Sequence, residues 1–254
     1  MFNVTEIPPE NLERRLGGVA RLYGEQAYEI FKQAHVVVVG LGGVGSWAAE
    51  ALVRSAIGEI TLIDFDHISL SNTNRQLQAL DGEFGKSKIE VMAQRLQRIN
   101  PELKVHLIDD FLKPENMDQY LPPDAAILDA VDDVSTKQAL AVWCRSHDAI
   151  LTMSGGAGGK VDPGKIEVAD LANATHDAML AKIRAHLRSQ HGFEKDPKRK
   201  MRVRVVYSSE SKVGQSDGRL SCSGYGSTVM VTATFGLFAA AETLKQMMAS
   251  HKTV

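Results

Sequence analysis

The stretch Gly-Leu-Gly-Gly-Val-Gly-Ser at residues 40–46 lies between an apolar run at residues 35–39 and a helical pattern at residues 47–55. This order is typical of a β-strand, a glycine-rich turn and an α-helix. Glycines let the backbone turn tightly and approach a phosphate, and the first N–H groups of the helix then face the anion. The stretch therefore predicts a nucleotide-phosphate site whose turn is formed by Gly40, Gly42, Gly43 and Gly45.

Apolar runs of strand length alternate with helical patterns along most of the chain. Five strands are predicted before residue 154, at residues 36–40, 59–64, 104–109, 125–130 and 149–154. Such alternation is typical of the α/β class with a doubly wound, mainly parallel, Rossmann-like sheet. A C-terminal strand and helix extension is predicted to follow, with strands at 166–170 and 201–207, a helix at 177–190 and an apolar helix at 228–249. The N-terminal residues 10–33 form a helical pattern that we expect to break at Gly17-Gly18.

The composition excludes several classes of protein. A net charge of −2 gives no global nucleic-acid signature, and the two cysteines, Cys144 and Cys222, do not form a Cys-x-x-Cys pair. They argue against a cysteine zinc site and a disulfide framework, and fit a reducing cytoplasm. The uncharged segment Leu220–Ala241 approaches membrane-spanning length, but its glycines and hydroxyl residues favour a buried core element over a membrane helix.

Positive charge is concentrated between Lys182 and Arg204, where nine Lys or Arg residues accompany two acids. One interpretation is a solvated basic surface, and the other is contact with a phosphate backbone. The two remain open at this point. The candidate nucleic-acid contacts are Lys182, Arg184, Arg188, Lys198, Arg199, Lys200 and Arg202.

Polar residues at the predicted strand ends indicate which nucleotide is bound. Asp64 ends the second strand, where an acid commonly accepts hydrogen bonds from ribose hydroxyls, and this serves NAD and ATP equally. The basic residues Arg75 and Lys88 exceed what a nicotinamide pyrophosphate needs and suit a triphosphate. Asp132 follows the fourth strand and offers oxygen ligands to Mg²⁺. The remaining candidates near this edge are Asp66, Ser71 and Asn72.

These residues belong to longer motifs: Leu62–Asp66, Ser69–Gln76, Gly85–Lys88, Arg98–Pro101 and Asp129–Asp132. Together with the glycine turn they resemble the ubiquitin-activating-enzyme-like adenylyltransferases over about residues 15–155. The resemblance implies that ATP and Mg²⁺ are used to adenylate a carboxylate. It implies that Asp64 binds the ribose and that Ser71 and Asn72 line the nucleotide pocket. It also implies that Arg75, Lys88 and Asp132 are catalytic, and that Asp132 supports Mg²⁺ bound to ATP.

Further segments carry a closer resemblance over nearly the whole chain, namely residues 15–24, 43–52, 155–159, 215–218 and 230–236. They are similar to the branch that cyclises threonylcarbamoyladenosine beside the tRNA anticodon, which implies a cytoplasmic homodimer acting on tRNA and not DNA. The branch also implies a helical arm at 1–34, an ATP-binding domain at 35–160 and a tRNA-facing, dimerising extension at 161–254, all in one structural unit.

Two departures from related enzymes bear on these assignments. An arginine that reaches the partner subunit's ATP in carrier-activating relatives aligns with Gly18 here, which leaves Arg15 and Arg21 as candidates for that role. The paired zinc cysteines of those relatives are missing, and both departures favour the tRNA branch.

Alternatives remain from the sequence alone. They are activation of the C-terminus of a ubiquitin-like sulfur carrier, a nucleotide-gated scaffold without turnover, and an NAD-dependent dehydrogenase. Cys222 is either a small buried or loop residue or a thiol that accepts sulfur from a sulfur-transfer protein. Binding of a monovalent cation is also left open.

Overall fold

The fold is built around one seven-stranded sheet with the order β3-β2-β1-β4-β5-β7-β6. The computed structural model describes residues 12–196, 198–211 and 225–250. All neighbouring strands pair in parallel except β6 and β7, which are antiparallel. The α/β class and the mainly parallel sheet predicted from the sequence are confirmed. The strands are β1 His35–Val39, β2 Glu59–Ile63, β3 Lys104–Ile108, β4 Ala126–Asp129, β5 Leu151–Ser154, β6 Ile166–Asp170 and β7 Arg204–Ser208.

Helices cover both faces of the sheet, as parallel strands require. Val36 and Val38 face a core formed with α3, α4 and α8, whereas Val37 and Val39 face a second core formed with α5, α6 and α7. The sheet is therefore the middle of three layers. The helices are α1 Leu12–Tyr23, α2 Glu25–Gln33, α3 Gly45–Arg54, α4 Lys88–Ile99, α5 Met117–Tyr120, α6 Val134–Ser146, α7 Ala178–Gln190 and α8 Val229–Ser250.

The break predicted in the N-terminal helix was wrong in position. Helix α1 continues through Gly17 and Gly18 and ends at Tyr23. The chain turns instead at Gly24, whose φ of +89° lies in a region that L side chains rarely adopt. A pair of glycines lowers the stability of a helix, but this pair does not end α1.

Strand β7 begins at Arg204, three residues later than predicted. The backbone N–H groups of Met201 and Arg202 donate to the Asp170 carboxylate at 2.8 and 2.9 Å, so they are not available to a strand ladder. Arg202 also has a φ of +60°, which is incompatible with extended structure. An acidic residue at the end of β6 thus fixes where β7 starts.

The apolar C-terminal helix is part of the core. Phe235 and Leu244 of α8 are buried, and the Thr243 hydroxyl donates to Thr152 of β5 at 2.9 Å. At Gly236 an added Cβ would lie 2.5 Å from the Val44 carbonyl oxygen, which shows how closely α8 crosses α3. In the described ranges, no helix has both the length and the apolar character needed to cross a membrane.

Candidate nucleotide-binding site

A cleft of about 520 Å³ opens at the carboxyl ends of β1, β2 and β4. This is the edge at which parallel α/β sheets bind ligands, and the volume suits a nucleotide. The cleft brings together most of the predicted nucleotide-binding residues, including those assigned to ribose, phosphate and magnesium. The predicted residues that line it are Gly40, Gly42, Gly43, Asp64, Asp66, Asn72, Arg75, Lys88 and Asp132.

The glycine turn is closed tightly around its own backbone. Gly40 has a φ of +88°, and a Cβ there would stand 3.0 Å from the Ala130 carbonyl oxygen. A Cβ at Gly45 would collide with the Gly40 carbonyl oxygen, and one at Gly43 would meet the Arg75 side chain at 3.0 Å. Gly45 does not line the cleft; it permits the close approach with which α3 begins.

Asp64 links the end of β2 to the glycine turn. Its carboxylate accepts the backbone N–H of Leu41 at 2.5 Å and that of Asp66 at 2.8 Å. Burial raises the pKa of Asp64, while Lys88 and the two N–H donors oppose that rise. The carboxylate therefore holds the turn in place at the position expected for a ribose partner.

Lys88 supplies a buried positive charge to the cleft. Its ammonium group lies 2.7 Å from the Asp66 carboxylate and 3.7 Å from that of Asp64. Lys86, which precedes it, pairs with Glu83 and does not line the cleft. Only one of the two lysines in this motif therefore lines the cleft.

Arg75 brings a second positive charge to the same cleft. Its guanidinium donates to the Ser71 carbonyl at 2.7 Å and to the Asn74 side chain at 3.0 Å. Among the described residues no carboxylate forms an ion pair with it. Ser71 does not line the cleft, and its part in the site is to orient Arg75 through its backbone. An arginine held by neutral acceptors keeps its full charge for an anion.

Asp132 stands at the opening of the cleft, beyond β4. Its side chain is exposed, and no other described residue forms a hydrogen bond or an ion pair with its carboxylate. Carboxylate oxygens are the ligands that Mg²⁺ prefers, and this one is free to provide them. The donor chemistry at this position fits a magnesium ion carried by a nucleotide.

Several lining residues escaped the sequence analysis. Phe65 and Phe111 have ring centroids 4.9 Å apart, so they offer an aromatic wall beyond β2 and β3. Thr232 of α8 also lines the cleft and lies against the glycine turn. An aromatic residue directly after a strand end is a weak signal, and a threonine inside an apolar helix gives none.

A buried ion pair lies directly under the cleft. Lys137 of α6 and Asp129 of β4 are both fully buried, with 3.0 Å between the ammonium and the carboxylate. Lys137 also donates to the Ser154 carbonyl at 2.8 Å, which connects β4 to β5. Burial raises the pKa of Asp129, and Lys137 opposes that rise. Nearby, Cys144 is buried and belongs to the core as predicted, and this burial raises the pKa of its thiol to about 12.

The basic segment is divided between structural and exposed residues. Arg184 donates to the Leu171 and Ala174 carbonyls at 3.1 and 2.8 Å, and Arg188 donates to the Glu194 carbonyl at 2.9 Å. These two arginines hold neighbouring loops. The exposed candidates are Lys182, Lys198, Arg199, Lys200 and Arg202.

The exposed cations do not lie together. Helix α7 starts beside Gly156, whose N–H donates to Asp177 at 2.7 Å, and runs away from the cleft edge. Residues 198–202 precede β7, which is parallel to β5, so they lie at the opposite edge of the sheet. The exposed cations are therefore spread between the cleft edge and the opposite edge of the sheet.

Arg15 and Arg21 differ in what they contact. The Arg15 guanidinium donates to the Arg98 and Ile99 carbonyls at 3.2 and 3.3 Å, at the end of α4. Both side chains are exposed, but of the two only Arg15 is hydrogen-bonded within the described residues, so Arg21 is the better candidate for contact with a second molecule. Cys222 and the motif at 215–218 lie outside the described residues.

Comparison with known proteins shows which family and which proteins the chain is similar to. The model of the ThiF family matches residues 13–253. The chain is 48% identical over 252 residues to the tRNA threonylcarbamoyladenosine dehydratase of Escherichia coli, covering 93% of this chain and 94% of that protein. A crystal structure of the E. coli enzyme in complex with ATP superimposes with a TM-score of 0.88 at 47% identity, covering 95% and 96% of the two chains.

Similarity to the sulfur-carrier branch is more limited. The molybdopterin-synthase adenylyltransferase of Salmonella typhimurium is 34% identical over 126 residues, which is 50% of this chain and 51% of that protein.

Proposed function

This chain belongs to the ThiF family, and on that premise we propose that it dehydrates threonylcarbamoyladenosine in tRNA to a cyclic form at the expense of ATP. The similarity to enzymes of that activity spans almost the whole chain. The observation within the molecule that supports the proposal is the cleft, because Arg75 and Lys88 both line it and bring two positive charges to it.

The reaction activates a carboxylate and then closes a ring. The threonyl carboxylate of the modified adenosine attacks the α-phosphorus of ATP, and pyrophosphate leaves. Lys88 and Arg75 stabilise the charge that develops on the phosphates. The carbamoyl group of the same nucleoside then attacks the acyl-adenylate and displaces AMP. The net result is loss of one water from the nucleoside and conversion of ATP to AMP and pyrophosphate.

The second step needs orientation more than a protein nucleophile. Its two reacting groups are in one molecule, so a well-placed conformation supplies much of the rate. In the cleft, Asp64 fixes the glycine turn that would hold the nucleotide, and Phe65 and Phe111 wall off one side. Mg²⁺ bound through Asp132 would neutralise phosphate charge. A monovalent cation is a further candidate ligand. The dependence of the cyclisation rate on the monovalent salt present tests this part of the proposal.

The exposed cations of the basic segment are proposed to bind the tRNA backbone. Because they extend from Lys182 to the opposite edge of the sheet, they would contact phosphates far from the reacting base. Each neutralised phosphate makes binding more sensitive to salt. We also propose that the enzyme acts in the cytoplasm, where tRNA is found. The domain division remains as predicted from the sequence.

A homodimer is proposed through the outer face of α8. Met230, Leu237 and Phe238 are 64, 50 and 40% exposed, and they lie on one side of a helix otherwise packed in the core. Apolar side chains clustered in this way favour burial against a second copy. In such a dimer Arg21 is the candidate for reaching the partner's nucleotide.

Mass spectrometry of tRNA nucleosides tests the function. Incubation of the protein with Mg-ATP and threonylcarbamoyladenosine-containing tRNA should yield the cyclised nucleoside, AMP and pyrophosphate. Asp132→Asn should lose most of this activity, whereas Asp148→Asn, an exposed acid at the other edge of the sheet, should keep it. Production of ADP, or no cyclised base, would overturn the proposal.

The sulfur-carrier alternative makes a different prediction. ATP–pyrophosphate exchange would then depend on a small carrier protein and would not respond to modified tRNA. A role of Cys222 in accepting sulfur from a transfer protein belongs to that alternative. A Cys222→Ser variant with full cyclising activity would show that the reaction does not need this thiol.

A further inference from the structure

Two histidines and a glutamate meet on one face of the sheet, close to the edge opposite the nucleotide cleft. His35 begins β1, Glu59 begins β2 and His106 lies in β3. The strand register pairs His35 with Glu59 and Thr61 with His106. Since side chains alternate along a strand, all four project from the same face.

The three side chains present ligand atoms at metal-binding separations. Glu59 Oε1 lies 2.8 Å from His106 Nε2 and 3.7 Å from His35 Nδ1. One ligand atom from each residue lies within 4.8 Å of the others. Around a tetrahedral zinc ion with bonds of about 2.1 Å, ligand atoms stand about 3.4 Å apart. Small side-chain rotations on a fixed sheet would close the site.

The surroundings of His35 prepare it for such a role. Its Nε2 lies 2.8 Å from the Thr61 hydroxyl, and Thr61 is buried, so the ring is held with Nδ1 towards Glu59. A metal-bound histidine commonly has its second nitrogen hydrogen-bonded in this way.

The other charged groups around the cluster are compatible with a cation. Asp124 adds negative charge near His35. Lys104 lies 3.6 Å from Glu59 Oε2, but its side chain is 73% exposed and can turn away into solvent.

We propose that His35, Glu59 and His106 form a binding site for one divalent transition-metal ion of the zinc class. Two imidazoles and a carboxylate are a ligand set that zinc accepts, with water in the fourth position. His106 is half exposed, which leaves that position open to solvent. The ion ties together β1, β2 and β3 away from the nucleotide cleft, so its effect is on stability and not on turnover. The site is independent of the cysteine pattern that argued against a zinc site.

Zinc binding to the full, untagged chain tests the proposal. Protein stripped with a chelator and free of nucleotide is titrated with Zn²⁺, and bound metal is measured after dialysis together with the melting temperature. The parent is expected to bind one zinc ion that His106→Gln does not bind, with at least a 100-fold loss of affinity, and to melt at a higher temperature with zinc. Gln keeps a hydrogen-bond donor for Glu59 but removes the imidazole ligand. His176→Gln changes an exposed histidine elsewhere and should bind zinc as the parent does.

A second set of variants tests whether the cluster is a metal site or only a network of hydrogen bonds. His35→Gln should abolish the same binding event, and Thr61→Val should weaken it about 10-fold by releasing the His35 ring. Co²⁺ in place of zinc should give a visible spectrum of tetrahedral type in the parent but not in His35→Gln or His106→Gln. No zinc bound by the parent, or zinc binding by His35→Gln or His106→Gln that equals the parent's, would overturn the proposal.

Discussion

The Lys88 ammonium group lies 2.7 Å from the Asp66 carboxylate, and this ion pair joins the start of α4 to the loop after β2. The two partners differ greatly in exposure, since the Lys88 side chain is 6% exposed and that of Asp66 is 63% exposed. The cation is therefore fixed by the fold, while the anion faces solvent. Lys88 therefore offers a fixed positive charge to the cleft, and we propose that a nucleotide phosphate takes the place of Asp66 as its partner.

Lys88→Met should reduce the rate of adenylate formation by about 10²–10³-fold, the cost of losing one preorganised group that stabilises transition-state charge. The measurement is ATP–pyrophosphate exchange in the presence of modified tRNA, with the melting temperature taken to confirm folding. Lys86→Met is the matched control, because Lys86 pairs with Glu83 and its side chain is 55% exposed. Equal exchange rates for the two variants would remove Lys88 from the mechanism.

Lys137→Met should lower the free energy of unfolding by about 3–5 kcal/mol, because it leaves the Asp129 carboxylate buried without its cation. Both side chains are 0% exposed, and they lie 3.0 Å apart. Urea unfolding monitored by circular dichroism measures the change.

The double variant Lys137→Met with Asp129→Leu is the control for that result. It removes both charges, so much of the lost stability should return. A single variant as stable as the parent would show that the pair contributes little to folding.

The glycine turn and the acidic strand ends were predictable because local sequence dictates them. A turn at Gly40 requires positive φ, and side chains that follow parallel strands must meet at one edge of the sheet. Gly40, Asp64 and Asp132 accordingly line one cleft, whereas Arg75 and Lys88, which do not directly follow a strand, were predicted from the motifs they belong to. Their individual roles in binding ATP remain predictions.

Contacts between distant segments were not predictable. The start of β7 depends on Asp170, 31 residues earlier in the chain, accepting a hydrogen bond from Met201. The division of the basic segment into structural and exposed side chains has the same cause. Arg184 donates its hydrogen bonds to carbonyl groups of a loop, and composition alone does not predict these contacts. Charge counts describe a segment, whereas tertiary hydrogen bonds decide which of its side chains are available.

Gly236→Ala should destabilise the protein by about 1–3 kcal/mol through overpacking where α8 crosses α3. The new methyl group would lie 2.5 Å from the Val44 carbonyl oxygen and 2.9 Å from the Ala48 nitrogen, so the helices must separate. Gly18→Ala on α1 is the matched control, since the nearest atom there is 3.6 Å away at the end of the Arg21 side chain. That variant should gain about 0.5–1 kcal/mol in denaturant unfolding. Loss of stability in both variants alike would contradict the packing argument.

Glu50→Gln should remove a pH-dependent contribution to the free energy of unfolding. This contribution comes from the ion pair between Glu50 of α3 and Arg95 of α4. Burial raises the pKa of Glu50, but hydrogen bonds from Arg95 and Arg54 outweigh it and hold the pKa below the ordinary 4.5. A depressed carboxyl pKa in the folded state stabilises the protein above the unfolded pKa, and that contribution is lost as the pH falls through the folded value. The variant should therefore be less stable than the parent by about 1.5–3 kcal/mol at pH 7, the range for hydrogen bonds to charged groups. Urea unfolding at a series of pH values should show the difference shrinking below about pH 4.5, the unfolded pKa. A difference that stays constant throughout acid titration would assign the effect to packing rather than to the charge.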